Sequence, residues 1–176
     1  SGKTGNYTGL IAKSIDAGYK FIVILTGTHN SLRSQTQTRI NEELLGYDLE
    51  KLQNISQGSL SRVGVGSLYR VHRGLREIQT LTTSQENGDF KRKQAETVSP
   101  ILSNRHVLII KKNVSILKNL IQWLKFAAEG GIVKDVPMMV IDDECDQASI
   151  NTKKTETDDD GNAIDAPTLT NMRIRE

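Results

Sequence analysis

The chain has 176 residues, with 23 Lys and Arg against 21 Asp and Glu, a formal net charge of +2, three prolines and one cysteine. That length carries one α/β domain and is too short for two helicase-type lobes. No run approaches the ~18 consecutive apolar residues of a membrane span, no secretory leader is visible, and the lone Cys145 excludes an intrachain disulfide, so a cytoplasmic protein without a membrane partner is expected.

In chain order, Ser1-Gly2-Lys3-Thr4 matches the last four positions of the phosphate-binding loop G-x-x-x-x-G-K-[ST]. In that loop backbone N–H groups and a helix N-terminus hold phosphate oxygens, the lysine reaches the β/γ phosphates and the Thr hydroxyl binds Mg²⁺. Tyr7, Leu10, Ile11 and Ile15 then space as one apolar helix face, with Gly18 as its stop. Phe21-Ile22-Val23-Ile24-Leu25 predicts a buried strand, and Thr26 to Asn30 a polar turn. Ser31 is the expected cap of a helix running to Leu45, stopped by Gly46. Residues 53–67, rich in Ser, Gly and Gln, predict a loop, and the β-branched content of 78–83 predicts a strand. A helix over 90–98 and a buried strand over 107–110 follow. Leu117, Leu120, Ile121 and Leu124 stripe a further helix, closed by Gly130-Gly131.

The densest signal comes next. Met138-Met139-Val140-Ile141 leads straight into Asp142, Asp143, Glu144 and Asp146, an apolar run ending in four carboxylates over five positions. Such a run predicts a buried strand of a parallel sheet, and ligands in these sheets bind outside the carboxyl ends of the strands. Close carboxylates call for a cation, and Mg²⁺ held through phosphate and water suits them; a solvated acidic turn is the plain alternative. Residues 153–167 have almost no apolar content and predict a flexible acidic loop. Their Asp-x-Asp-Gly pattern lacks the distal glutamate and helix pair of a calcium loop. From 168 onward the chain reads as the start of a helix, and both ends have the character of boundaries within a longer protein.

Charge is polarised along the chain. Residues 1–130 carry 18 Lys and Arg against 10 Asp and Glu, whereas 131–176 carry 5 against 11. The basic part can track a nucleic-acid backbone, although solvated helix faces have the same composition. His29, His72 and His106 have no zinc-ligand spacing. No Glu-x-Lys accompanies the acids as a metal-dependent nuclease would require, so a cutting centre is expected elsewhere in a longer protein.

Taken together, phosphate loop, helix, strand and a later strand ending in Asp-Asp-Glu have the order of a nucleotide-hydrolysing α/β domain. Asp143-Glu144-Cys145-Asp146 resembles the second motif of superfamily-two helicases and translocases. Residues 1–13, Leu32-Arg33-Ser34-Gln35-Thr36-Gln37 and the stretch 141–152, with its trailing Gln-Ala-Ser-Ile-Asn-Thr, are similar to the Z-one domain family of endonucleases. The resemblance implies a RecA-like parallel sheet flanked by helices, a P-loop NTPase and first helicase-type lobe spanning 1–176 as one domain. It further implies an ATP-dependent hydrolase acting on DNA, of restriction or DNA-defence type, inactive as this lobe alone. ATP and Mg²⁺ are the implied cofactors. DNA, a second RecA-like lobe and a nuclease region of the same protein are the implied partners. Asp143 would hold Mg²⁺ with Thr4, and Glu144 would orient or deprotonate the attacking water. Gly2, Lys3 and Thr4 would bind the nucleotide. The Thr26 to Gln37 segment resembles the helicase motif that grips strand phosphate, with Arg33 its charged candidate and Thr28, Asn30 and Gln35 its polar ones. An exposed helix face accounts equally well for Arg33 and Gln35. Two other classes stay open: a nucleotide-dependent DNA-binding scaffold, and a metal-dependent nuclease using the acids directly.

Overall fold

The computed structural model describes residues 2–46, 78–97, 105–127, 136–143, 145, 156–157, 163–164 and 169–175. Helix α1 spans Gly2–Asp16 and strand β1 Phe21–Thr26. Helix α2, Asn30–Ile40, continues into a π-helical turn at Asn41–Leu45. Strand β2 is the pair Ile78–Gln79, helix α3 spans Arg92–Thr97, and strand β3 spans Arg105–Lys111. Helix α4, Val114–Ala127, precedes strand β4, Met138–Asp142. The two-residue strands β5 (Glu156–Thr157) and β6 (Ala163–Ile164) pair antiparallel, and helix α5 covers Leu169–Arg175.

Four strands form one all-parallel sheet in the order β2-β3-β1-β4. In register, Leu25 of β1 faces Ile110 on one side and Asp142 on the other. Period-two alternation sends Phe21, Val23 and Leu25 to one face, where they meet Leu117, Leu120 and Trp123 of α4, Phe90, and Ala95 of α3. Ile22 and Ile24 go to the other face, against Ile11 and Ile15 of α1, Ile40 of α2 and Leu44 of the π turn. Helices therefore cover both faces, as parallel pairing with its crossovers demands.

Helix α1 ends where the glycine predicts. The Gly18 N–H donates to the Ile15 carbonyl and the Tyr19 N–H to the Ser14 carbonyl, and Gly18 sits at φ 98°. That is the Schellman arrangement, and its left-handed residue favours glycine because a Cβ would be strained there.

Several expectations change. Leu10 is 51% exposed, and Thr8 and Ser14 take buried positions on α1 in its place. His29 rather than Ser31 is the N-cap residue of α2, and its side chain makes no capping bond. Only Ile78 and Gln79 of the predicted 78–83 strand pair, because the chain then turns under α2. The strand with the acids is not enclosed among the described residues: Met138 is 39% and Val140 53% exposed, while Met139 and Ile141 pack inward. The predicted 53–67 loop lies outside the described residues, as does most of 153–167 apart from β5 and β6. Among the described residues no helix is long and apolar enough to cross a membrane.

Candidate functional site

The sheet's strand order sets the site. The chain goes from β1 to β3 on one side and then returns to β4 on the other, so the order reverses between β1 and β4. Such a switch point opens a crevice at the carboxyl ends of the strands, where open α/β sheets bind ligands. Asp142 and Asp143 stand there, and the Asp143 N–H still donates to the Leu25 carbonyl at 2.9 Å, extending the β1–β4 ladder by one bond. Asp143 is half-buried.

The last turns of helix α1 lie at the opposite edge, by the start of the strands. Ser14 Oγ lies 3.9 Å from Met139 Sδ, near the start of β4, and α1 joins the start of β1 through the Gly18 turn. Its 15 residues, about 22 Å at 1.5 Å per residue, therefore lead back along the strands to a first turn formed by Gly2, Lys3 and Thr4. The free N–H groups of such a turn attract anions. The side chains of Lys3 and Thr4, and all of Glu144, lie outside the described residues.

Lys112, directly after β3, reads from the sequence as one of the basic residues of 1–130 that can track a nucleic-acid backbone, and the structure gives it another setting. Its N–H donates to the Thr26 carbonyl at 3.3 Å, which carries its side chain across the end of β1. Lys112 Nζ donates to the Asp143 carbonyl at 3.0 Å and makes a close ion contact with Asp142 Oδ1 that is not an aligned hydrogen bond. The lysine side chain is 0% exposed and that of Asp142 28%.

A second polar network joins α2 to the 83–89 turn. Arg33, expected on an exposed strand-gripping face, is wholly buried. Its Nη1 donates to the Thr83 carbonyl at 2.6 Å, its Nη2 to the Gln85 carbonyl at 2.5 Å, and its Nε lies 3.9 Å from Asp89. Ser34 Oγ donates to the Ser84 carbonyl beside it. The turn is closed by Thr83 N–H to the Gly88 carbonyl at 2.8 Å, and a Cβ at Gly88 would overlap Thr83. Lys111 Nζ donates to Asn30 Oδ1, and the Lys111 N–H to Asp89 Oδ2 at 3.3 Å. Burial drives the Asp89 carboxyl up from its ordinary value of 3.8, against the pull of the Phe90 N–H, the Arg33 guanidinium, and the N–H and ammonium of Lys111. Deeper in, Thr82 Oγ1 donates to Gln37 Oε1 at 2.6 Å and accepts the Ile109 N–H at 3.1 Å, fastening the turn to β3.

The structure thus separates the expected residues. Thr28 and Gln35 are exposed, Asn30 is half-buried and engaged by Lys111, and Arg33 is turned inward, which corrects its placement on a solvent-facing surface. Two roles were missed. Lys112, the second of two lysines at the end of an apolar strand, gives no sign in the sequence of its acidic partners, and Asp89 gives none of its own.

Among the described residues no group of three or more His, Cys, Asp or Glu could enclose a metal ion. With Asp142 engaged by Lys112, the described donor set at this strand end is the Asp143 carboxylate. Mg²⁺ is commonly held by one or two carboxylates while phosphates and water supply the rest, so the set fits a phosphate-borne Mg²⁺ and not a fully protein-caged ion. Compared with known proteins, this chain matches no family model, no curated protein and no solved structure.

Proposed function

We propose that this chain is the ATP-binding and ATP-hydrolysing lobe of a DNA-acting motor, with a RecA-like phosphate-loop core. The reading is supported chiefly by one juxtaposition. The switch point of the parallel sheet holds Asp143, and the helix that begins Gly2-Lys3-Thr4 leads to the same edge. An anion-binding helix end together with a carboxylate at the strand end is what a triphosphate with its cation needs.

The roles follow from residue chemistry. The first turn of α1 offers N–H donors to phosphate oxygens, and Lys3 adds a positive charge to them. Mg²⁺, when bound, offsets the charge on the β and γ phosphates. Thr4 and Asp143 are its protein ligands. Glu144 orients the attacking water and accepts its proton. On the DNA side, Thr28 and Gln35 are the exposed contacts of the α2 segment, and Arg33 acts indirectly by holding the turn beneath it. The DNA partner, a second lobe, a nuclease region and a cytoplasmic setting belong to the same proposal. A nuclease acting through the acids directly is disfavoured because Lys112 already neutralises Asp142.

Glu144→Gln in the intact protein tests the assignment. The amide keeps the shape and cannot act as a base, so ATP binding should persist while DNA-stimulated phosphate release stops. Loss of nucleotide binding in a folded variant would show a structural role for Glu144. Turnover at the normal rate would overturn the hydrolytic reading.

A further inference from the structure

We infer that Lys112 is a positioning residue of the acidic turn: its buried ammonium occupies Asp142 and ties down the Asp143 backbone, so that of these two aspartates only Asp143 presents its carboxylate to the cation. The inference rests on the nucleotide reading of this edge and deepens it by naming what sets the metal's ligand count.

A lysine with no exposed side-chain surface is unusual, because the amine normally reaches water even where its stem is covered. Burying it requires charge compensation and hydrogen bonds. Both come from two consecutive residues, the Asp142 carboxylate and the Asp143 carbonyl. The register explains how. β3 and β4 flank β1, and a side chain leaving the end of β3 must pass the end of β1 to reach β4. The Lys112 N–H bond to the Thr26 carbonyl sets that path. The neighbouring Lys111 goes the other way, to Asn30 and Asp89, so the two lysines serve separate networks.

Neutralising Asp142 has a chemical consequence. Two unpaired carboxylates at one strand end would attract a divalent cation without nucleotide and repel the phosphates meant to bring it. With one carboxylate committed to an ammonium, cation affinity becomes conditional on the triphosphate.

The experiment uses the intact protein and Mn²⁺ alone as probe, with free Mn²⁺ followed by electron paramagnetic resonance in the absence of nucleotide. Lys112→Met should bind Mn²⁺ about tenfold more tightly than the native protein, because a nearby positive charge is gone and Asp142 is released. A merely structural lysine would give unchanged or weaker binding on replacement, and either result in a folded Lys112→Met overturns the inference. Adding Asp142→Asn to Lys112→Met should abolish the gain, and a gain that survives overturns it as well. If Lys112→Met does not fold, Lys112→Gln, which keeps a donor for the Asp143 carbonyl, takes its place: tighter Mn²⁺ binding supports the inference, and unchanged or weaker binding overturns it. None of these measurements uses ATP. A protein that meets them yet hydrolyses no ATP would sink the nucleotide reading and leave the role of Lys112 standing.

Discussion

Arg33 on α2 and Lys112 at the end of β3 are both withdrawn from solvent, and each lies against an aspartate, yet their surroundings differ. Around Arg33 the donors point at the carbonyls of one turn, and the turn is closed by its own backbone bonds. Around Lys112 the partners are the acidic turn itself, and Asp143 stays half-exposed at the switch point. The first network is closed and holds two elements together. The second leaves an aspartate side chain only partly covered, which suits a ligand site. A buried cation is therefore not informative by type; what its partners leave unoccupied decides its use.

The sharpest way to break this comparison is Arg33→Ala. It strands the Thr83 and Gln85 carbonyls and leaves Asp89 without the guanidinium, and breaking a buried charged pair costs about 3–5 kcal/mol. Urea denaturation should show a loss of that order. A cost below about 1 kcal/mol, typical of exposed ion pairs, with weakened DNA binding, would return Arg33 to the strand-gripping role.

A smaller effect separates the networks by pH. Because burial raises the Asp89 carboxyl in the folded protein, folding favours its protonated form. Its contribution is fully present below the ordinary value of 3.8 and is lost as pH rises through the folded value. The stability of the native protein minus that of Asp89→Asn should therefore be greater near that ordinary value than at neutral pH. Denaturation of both proteins across this range checks it, and a difference that instead grows with pH would mean that Arg33 and Lys111 outweigh burial.

The smallest stability change is expected at Asp143→Asn, within about 0.5 kcal/mol, since its side chain is half-exposed and its backbone bonds to Leu25 and Lys112 survive. Mg²⁺-dependent ATP turnover should nevertheless be lost under the proposed function. A large stability loss at Asp143 would make the second network as structural as the first.

Much of the fold was legible locally. The runs at 21–25 and 107–110 became the two most enclosed strands, and the stop at Gly18 formed as its residue type implies. The stripe on α4 was right at Leu117, Leu120 and Leu124, but it took Ile121, which lies in neither core cluster, and omitted Trp123, whose buried ring lies 5.9 Å from Phe21 and 5.7 Å from Phe90. Met138 to Ile141 looked as enclosed as the other apolar runs and was not, because a strand's burial depends on what lies beside it. The acids at the end of β4 were legible as a candidate site, whereas the lysine that engages them was not.

The sequence by itself determined the element order, the apolar faces and the location of the acidic strand end, since these follow from periodicities of 2 and 3.6 residues and from local glycine chemistry. Only the tertiary structure decided that Lys112 meets a turn 31 residues further on and that Arg33 faces carbonyls 50 and 52 residues away. Those meetings depend on strand order and register, which place β1 between β3 and β4, and a hydrophobic pattern that repeats within each strand does not encode which strands become neighbours.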